Sequence, residues 1–178
     1  SVIYDLTGTG SGRVTTDGSV VEFAGMESIS DKTQASSLAV NFSVTDDQIT
    51  LTDGAPDDGS MILDSPGYEN LTFRVPTDSL TIDAGGGDDS VVVNSVDSGF
   101  AGSLNLHGGA GVDSVNMDTA LDPASITLST DAEIFNNLPR VTLGLSSTSL
   151  AEAGGAVTVS ASLDRATTNK VTVNLAFA

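Results

Sequence analysis

Along this chain apolar residues alternate with Thr, Ser or Asn, and most runs end at Gly or Asp, while the i, i+3, i+4 spacing of an amphipathic helix is hard to find. A period of two sends successive side chains to opposite faces of a strand, so the pattern predicts an all-β protein. Strands are expected at Ser19 to Phe23, Leu38 to Val44, Gln48 to Thr52, Met61 to Asp64, Leu71 to Val75 and Ser125 to Ser129. Turn clusters rich in Gly, Asp and Pro separate them, such as Asp53-Gly-Ala-Pro-Asp-Asp-Gly59 and Ser65-Pro-Gly67.

One pattern is written twice. Leu80, Ile82, Val91 and Val93 return twenty-four residues later as Leu104, Leu106, Val115 and Met117, and Gly85, Gly87 and Asp89 return as Gly109, Gly111 and Asp113. A fixed period of this length marks a supersecondary unit that stacks on its own copy. Two architectures compete for it. In a β-solenoid of the parallel β-helix kind, Leu80 stacks on Leu104 and Val91 on Val115; in a β-sandwich, Leu80 to Asp83 and Asp89 to Asn94 are two arms of a hairpin. Like residues matched at a constant offset favour the solenoid. Ile49-Thr-Leu51 followed by Asp57-Asp58-Gly59-Ser60-Met61-Ile62 reads as a degraded earlier copy, and Ile126-Thr-Leu128 as a closing turn without the glycine motif.

The polar stretch Asn136-Asn-Leu-Pro-Arg140 reads as a boundary, giving a repeat domain over 1–138 and a second segment over 139–178. The second segment holds three alternating strands, Val141 to Leu145, Val157 to Leu163 and Val171 to Phe177, each with one apolar face. Three such strands leave that face bare, so the expectation is that the chain continues past Ala178, or that the segment completes its core against the first domain or another copy. The chain opens on Ser rather than Met, which suggests a processed or excised piece.

Charge narrows the partners. Six Lys and Arg against twenty-four Asp and Glu give a formal net charge of −18, which repels nucleic acid and anionic membranes. Bound divalent cations would relieve the self-repulsion, and calcium, a hard ion that takes carboxylate and carbonyl oxygens, suits the composition best. There is no Cys, which removes disulfides, thiolate catalysis and cysteine zinc sites together. No apolar run reaches the roughly 20 residues of a spanning helix.

Gly108-Gly-Ala-Gly-Val-Asp-Ser-Val-Asn116 fits the nonapeptide G-G-x-G-x-D-x-U-x at every fixed position, and Ala84 to Val92 misses only the first Gly. Here the chain resembles the calcium-binding RTX repeats, although the motif recurs every twenty-four residues rather than every nine. The resemblance implies structural Ca2+ at Gly85, Gly87, Asp88, Asp89, Gly109, Gly111 and Asp113, against a plain reading of the same residues as turn formers. From 139 onward, Val141-Thr-Leu143, Leu150-Ala-Glu-Ala-Gly-Gly155, Val157-Thr-Val159 and Val171 to Phe177 resemble the first half of a Calx-β domain. That implies the opening strands of an Ig-like sandwich, with Glu152 as a further calcium ligand. The stretch from Tyr4 to Asn116 is also similar in style to modules of very large bacterial exported and surface proteins.

Other candidate chemistry is thinner. His107 is the only histidine and reads as a polar turn residue, with no G-x-S-x-G elbow to make a triad of it. Asp57-Asp58 and Asp88-Asp89 are neighbours along the chain, which face apart on a strand instead of sharing a site. Asn41-Phe-Ser43 and Asn70-Leu-Thr72 fit the N-glycosylation acceptor, and both lie in expected strands. The expected function is a non-enzymatic structural or adhesive module of a secreted or cell-surface bacterial protein. Its partners would be neighbouring copies or modules, which it would join in filaments by strand complementation, and surface or matrix glycans. The alternative is a β-helix protein that binds or cleaves polysaccharide; scattered basic residues and the absence of Trp weigh against a cleaving groove.

Overall fold

A computed structural model describes residues 1–55, 58–118, 121, 127–136, 141–145 and 159–163. The chain divides into two compact units, Ser1–Asn137 and Leu138–Ala178. All elements among the described residues are strands, and no helix there is long and apolar enough to cross a membrane.

The first unit holds fourteen strands in two mixed sheets of seven. Sheet A contains β1 (Val2–Gly8), β2 (Ser11–Thr16), β3 (Ser19–Phe23), β5 (Ser37–Asn41), β9 (Ser79–Asp83), β11 (Ser103–His107) and β13 (Thr127–Thr130), in the order β13-β11-β9-β5-β1-β2-β3. Sheet B contains β4 (Ser28–Asp31), β6 (Gln48–Asp53), β7 (Ser60–Asp64), β8 (Asn70–Arg74), β10 (Ser90–Val93), β12 (Ser114–Met117) and β14 (Ile134–Asn136), in the order β14-β12-β10-β6-β7-β8-β4.

The two copies of the repeat lie side by side, parallel and in register. Leu80 pairs with Leu104 and Ile82 with Leu106 in sheet A, while Val91 pairs with Val115 and Val93 with Met117 in sheet B. β9 and β10 therefore belong to different sheets and are not arms of one hairpin. Leu128 follows Leu104 at the same offset, and Phe135 follows Val115 after only twenty residues.

The earlier copy is present in a different frame from the expected one. Leu38 and Val40 pair with Leu80 and Ile82, and Ile49 and Leu51 pair with Val91 and Val93, an offset of forty-two. Ile49 to Leu51 is thus the second arm of the copy and not its first. Met61 and Ile62 belong instead to an antiparallel excursion, β7 and β8, which is inserted after β6 and displaces the next copy along the sequence. β1 extends sheet A on the far side of β5, parallel to it, before β2 and β3 turn back as antiparallel strands.

One apolar cluster joins the two sheets. Leu38, Val40, Leu80, Ile82, Leu104 and Leu106 from sheet A and Ile49, Leu51, Val91, Val93, Val115 and Met117 from sheet B are all buried within it, in strict alternation with half-exposed neighbours. Alternation persists because a parallel in-register neighbour presents the same face at each position, so one apolar choice is repeated along a whole column.

In the second unit, β15 (Val141–Leu145) and β16 (Val159–Leu163) form an antiparallel pair with Val141 opposite Leu163. Glu152 and the expected strand from Val171 to Phe177 lie outside the described residues.

A completely buried leucine in such a column has no room to be replaced by solvent. Leu104→Ala is expected to cost about 2–5 kcal/mol of unfolding free energy, read from a urea midpoint at unchanged slope; a cost below about 1 kcal/mol would contradict the packing of this column.

Candidate functional site

The acidic glycine turn carries chain from sheet A to sheet B, from β9 to β10 and again from β11 to β12. Gly85 and Gly109 both have φ +93, and Gly87 and Gly111 have φ +125 and +148. Left-handed backbone alone asks for glycine here, and stacking asks again. A Cβ on Gly109 would run into the carbonyl of Gly85, and one on Gly111 into the carbonyl of Gly87. The turns bond to each other through Ala110 N to Gly85 O at 3.2 Å and Gly87 N to Ala110 O at 2.8 Å.

Several further backbone donors of these turns are met by carboxylates. Asp47 N donates to Asp89 Oδ1 at 2.7 Å, Asp89 N to Asp113 Oδ1 at 2.9 Å, and Asp113 N to Glu133 Oε2 at 2.9 Å. Each acid stands two residues before the strand position occupied in turn by the mutually paired Ile49, Val91, Val115 and Phe135, so the four form one column at equivalent positions of successive repeats. A second column runs in the opposite sense: Asp88 N donates to Asp46 Oδ1 and Val112 N to Asp88 Oδ1, both at 2.9 Å. Asp88 and Asp89 thus serve separate columns and do not converge. Asp131 accepts from Gly108 N at 2.7 Å and lies 3.3 Å from the half-exposed His107 ring.

Asp89 and Asp113 are only 2% exposed and Asp47 5%. Burial pushes the Asp89 carboxyl up from its ordinary value; the N–H of Asp47 works against this and the charges of Asp113, Asp47 and Asp46 add to it. Its Oδ2 is buried with no hydrogen-bond partner. Burial likewise raises Asp47, opposed by hydroxyl bonds from Tyr68 and Thr45 and assisted by the charge of Asp46.

The residues that the RTX-like motif singles out are therefore brought together: Gly85 above Gly109, Gly87 above Gly111, Asp89 above Asp113. Their geometry gives them work that needs no bound ion, since the glycines clear the stacked carbonyls and the carboxylates accept N–H bonds. Among the described residues, one set of three acidic side chains, Asp53, Asp58 and Asp97, places carboxylate oxygens within 4.8 Å of one another. Asp97 accepts from Gly99 N at 2.7 Å and Gly59 N at 3.0 Å, and Asp58 from Ser60 N at 2.8 Å. Sequence reasoning missed Asp47, Glu133 and Asp97; the first two share a readable signal, an acid two residues ahead of Ile49 and Phe135, just as Asp89 precedes Val91. Set against known families, curated proteins and solved structures, the chain matches none of them.

Two outcomes follow from this geometry. Gly109→Ala should destabilise by at least about 1 kcal/mol more than Gly25→Ala, because Gly25 also has positive φ, at +69, but an added Cβ there meets open space; equal costs in chemical unfolding would mean that stacking imposes nothing beyond the turn.

The second concerns pH. Asp47 and Asp89 hold protons more tightly folded than unfolded, so stability should rise as pH falls from neutrality through their folded pKa values, the gain being complete by the unfolded value of 3.8. Asp5, held low by the Asn41 amide and Arg13, contributes in the opposite sense, as does Asp131, whose burial is outweighed by the Gly108 N–H and His107. Their contribution is present above 3.8 and is lost only below it. The chain should melt higher at about pH 5 than at about pH 8, and Asp89→Asn, which keeps an acceptor oxygen, should narrow that difference; an unchanged difference in the variant would remove Asp89 from the account.

Proposed function

We propose that this chain is a non-enzymatic structural or adhesive module of a secreted or cell-surface bacterial protein, built as a β-solenoid body followed by strands of an Ig-like, Calx-β-type sandwich. The observation that carries the reading is the parallel, in-register pairing of equivalent residues through β5, β9, β11 and β13 and through β6, β10, β12 and β14. Such an array resists extension and proteolysis because each repeat's backbone is bonded to the next and the core is continuous. The adjacent carboxylates that a hydrolase would share are divided between two backbone-bonding columns, which favours a structural role over a catalytic one.

Divalent cations enter this reading through charge. At −18 the folded chain repels itself, and calcium would neutralise surface carboxylates and stiffen their turns. Neighbouring modules or copies are the natural partners of a chain whose second unit offers paired strands with apolar alternation.

Thermal unfolding in calcium against chelator tests the cation: a site held at about a hundred times its dissociation constant adds about 2.7 kcal/mol. Sedimentation of the same samples tests assembly. A rise in melting temperature with calcium and concentration-dependent association are expected; identical melts would remove the ion from the proposal, and a persistent monomer would remove self-assembly.

A further inference from the structure

The Asp47–Asp89–Asp113–Glu133 column has an open end. Each later acid accepts the N–H of the equivalent residue one repeat earlier, but no repeat with a sheet B arm of this kind precedes Asp47. Where that backbone donor would lie, the chain leaves a cavity of about 430 Å³ between the turn after β5, the end of β1 and the turn joining β7 to β8.

Its walls are hydroxylic and acidic. Tyr68 OH reaches Asp47 Oδ2 at 3.3 Å and Ser43 Oγ at 2.7 Å; Thr45 Oγ1 reaches Asp47 Oδ1 at 3.4 Å and Ser43 Oγ at 3.2 Å. Each Asp47 oxygen has one hydroxyl partner, but these bonds are long beside the 2.7 to 2.9 Å backbone bonds its counterparts receive, so the carboxylate is weakly held in a largely desolvated place. Ser65, also on the wall and 2% exposed, has a hydroxyl oxygen without a hydrogen-bond partner. Tyr68, whose ring packs at right angles to that of Phe42 with centroids 4.9 Å apart, is the one aromatic residue lining the cavity.

We infer that this cavity is a binding subsite for a neutral sugar unit, whose vicinal hydroxyls donate to the Asp47 carboxylate in place of the missing backbone N–H. The chemistry selects that class. Asp46 and Asp47 both line the cavity and no Lys or Arg does, which disfavours uronates, sulfated sugars and phosphates. A polyol both donates and accepts, as a wall of Ser, Thr and Tyr hydroxyls requires, and a cavity of this size lies within the usual range for small ligands. Asp47 is not part of any three-acid set close enough to hold a metal ion among the described residues. The inference goes beyond the mechanical reading and stands without it.

The test is amide-resolved NMR titration of the full chain with the methyl glycosides of glucose, galactose and mannose, with glucuronate, and with calcium chloride. At least one neutral glycoside should give saturable shifts centred on Ser43, Thr45, Asp47 and Tyr68, with glucuronate at least about tenfold weaker. Asp47→Asn and Tyr68→Ala should each weaken binding about tenfold or more; if either fails to fold, Thr45→Ala, at an exposed turn position, takes its place. No saturable shift by about 100 mM of any glycoside overturns the inference, as does glucuronate binding equally well, or calcium in place of sugar saturating these amides.

Discussion

Stacking a repeat on its own copy in register leaves the buried backbone donors and acceptors of the turn to be met largely by the adjacent repeat. Within the strands the ladder does this automatically. In the turns it does not, because a chain changing direction points some N–H groups along the stack and others away. This protein meets that constraint with two residue types. Glycine lets Gly85, Gly87, Gly109 and Gly111 adopt a left-handed path that aims carbonyls at the neighbouring turn, and aspartate supplies acceptors where the path offers none. An unmet buried N–H costs about 1–3 kcal/mol, so neither device can be dropped cheaply.

Using carboxylates as those acceptors creates a second problem. Parallel neighbours lie roughly 4.8 Å apart, so a column of ionised aspartates repels at about 1 kcal/mol per contact in water and about 3 at an effective dielectric of 20. A bond to a charged acceptor contributes about 1.5–3 kcal/mol. The two effects are of one size, and burial tips the outcome: desolvation, with the neighbouring charges added, pushes the Asp89 carboxyl upward even though Asp47 donates to it. The column is stabilising because the alternative is an orphaned donor. At the last step the turn shortens, Phe135 coming twenty residues after Val115, and there the acceptor is Glu133, one methylene longer than its predecessors.

What the sequence made legible follows from how strictly each copy repeats. The offset between Leu80 and Leu104 could be read because nothing is inserted between them, and it predicts their pairing correctly. The earlier copy from Leu38 to Leu51 was obscured twice: the β7–β8 excursion stretches its offset to forty-two, and its turn carries Ser43 and Thr45 where later copies carry glycine. A motif built on glycine cannot find it, although Asp47 keeps its place. β1 and β2 were not among the expected strands, although Val2, Tyr4 and Leu6 alternate and Asp17-Gly18, with φ 48 and 86, is a hairpin signal before β3. β4 has one apolar residue and β14 only three residues in all, too little for periodicity to register. Of the candidate site, the acidic turns were legible; the open cavity beside Asp47 was not, because Tyr68 and Ser65 reach it from the inserted excursion.

The insertions also decide how the array ends. At one end, sheet A passes through the antiparallel strands β2 and β3 and sheet B through β7 and β8, with β4 added parallel to β8 at its edge, so the twenty-four-residue repeat gives way to strands of other origin. At the other, β13 and β14 still run parallel to the strands before them. The Asp47 column shares this polarity, since each of its later acids takes its donor from the preceding repeat and Asp47 has no such repeat behind it. Identical repeats give a body that is alike at every level and therefore carries little chemistry of its own. Recognition is left to the places where the repetition stops, and in this chain the hydroxyl-lined cavity lies at one of them.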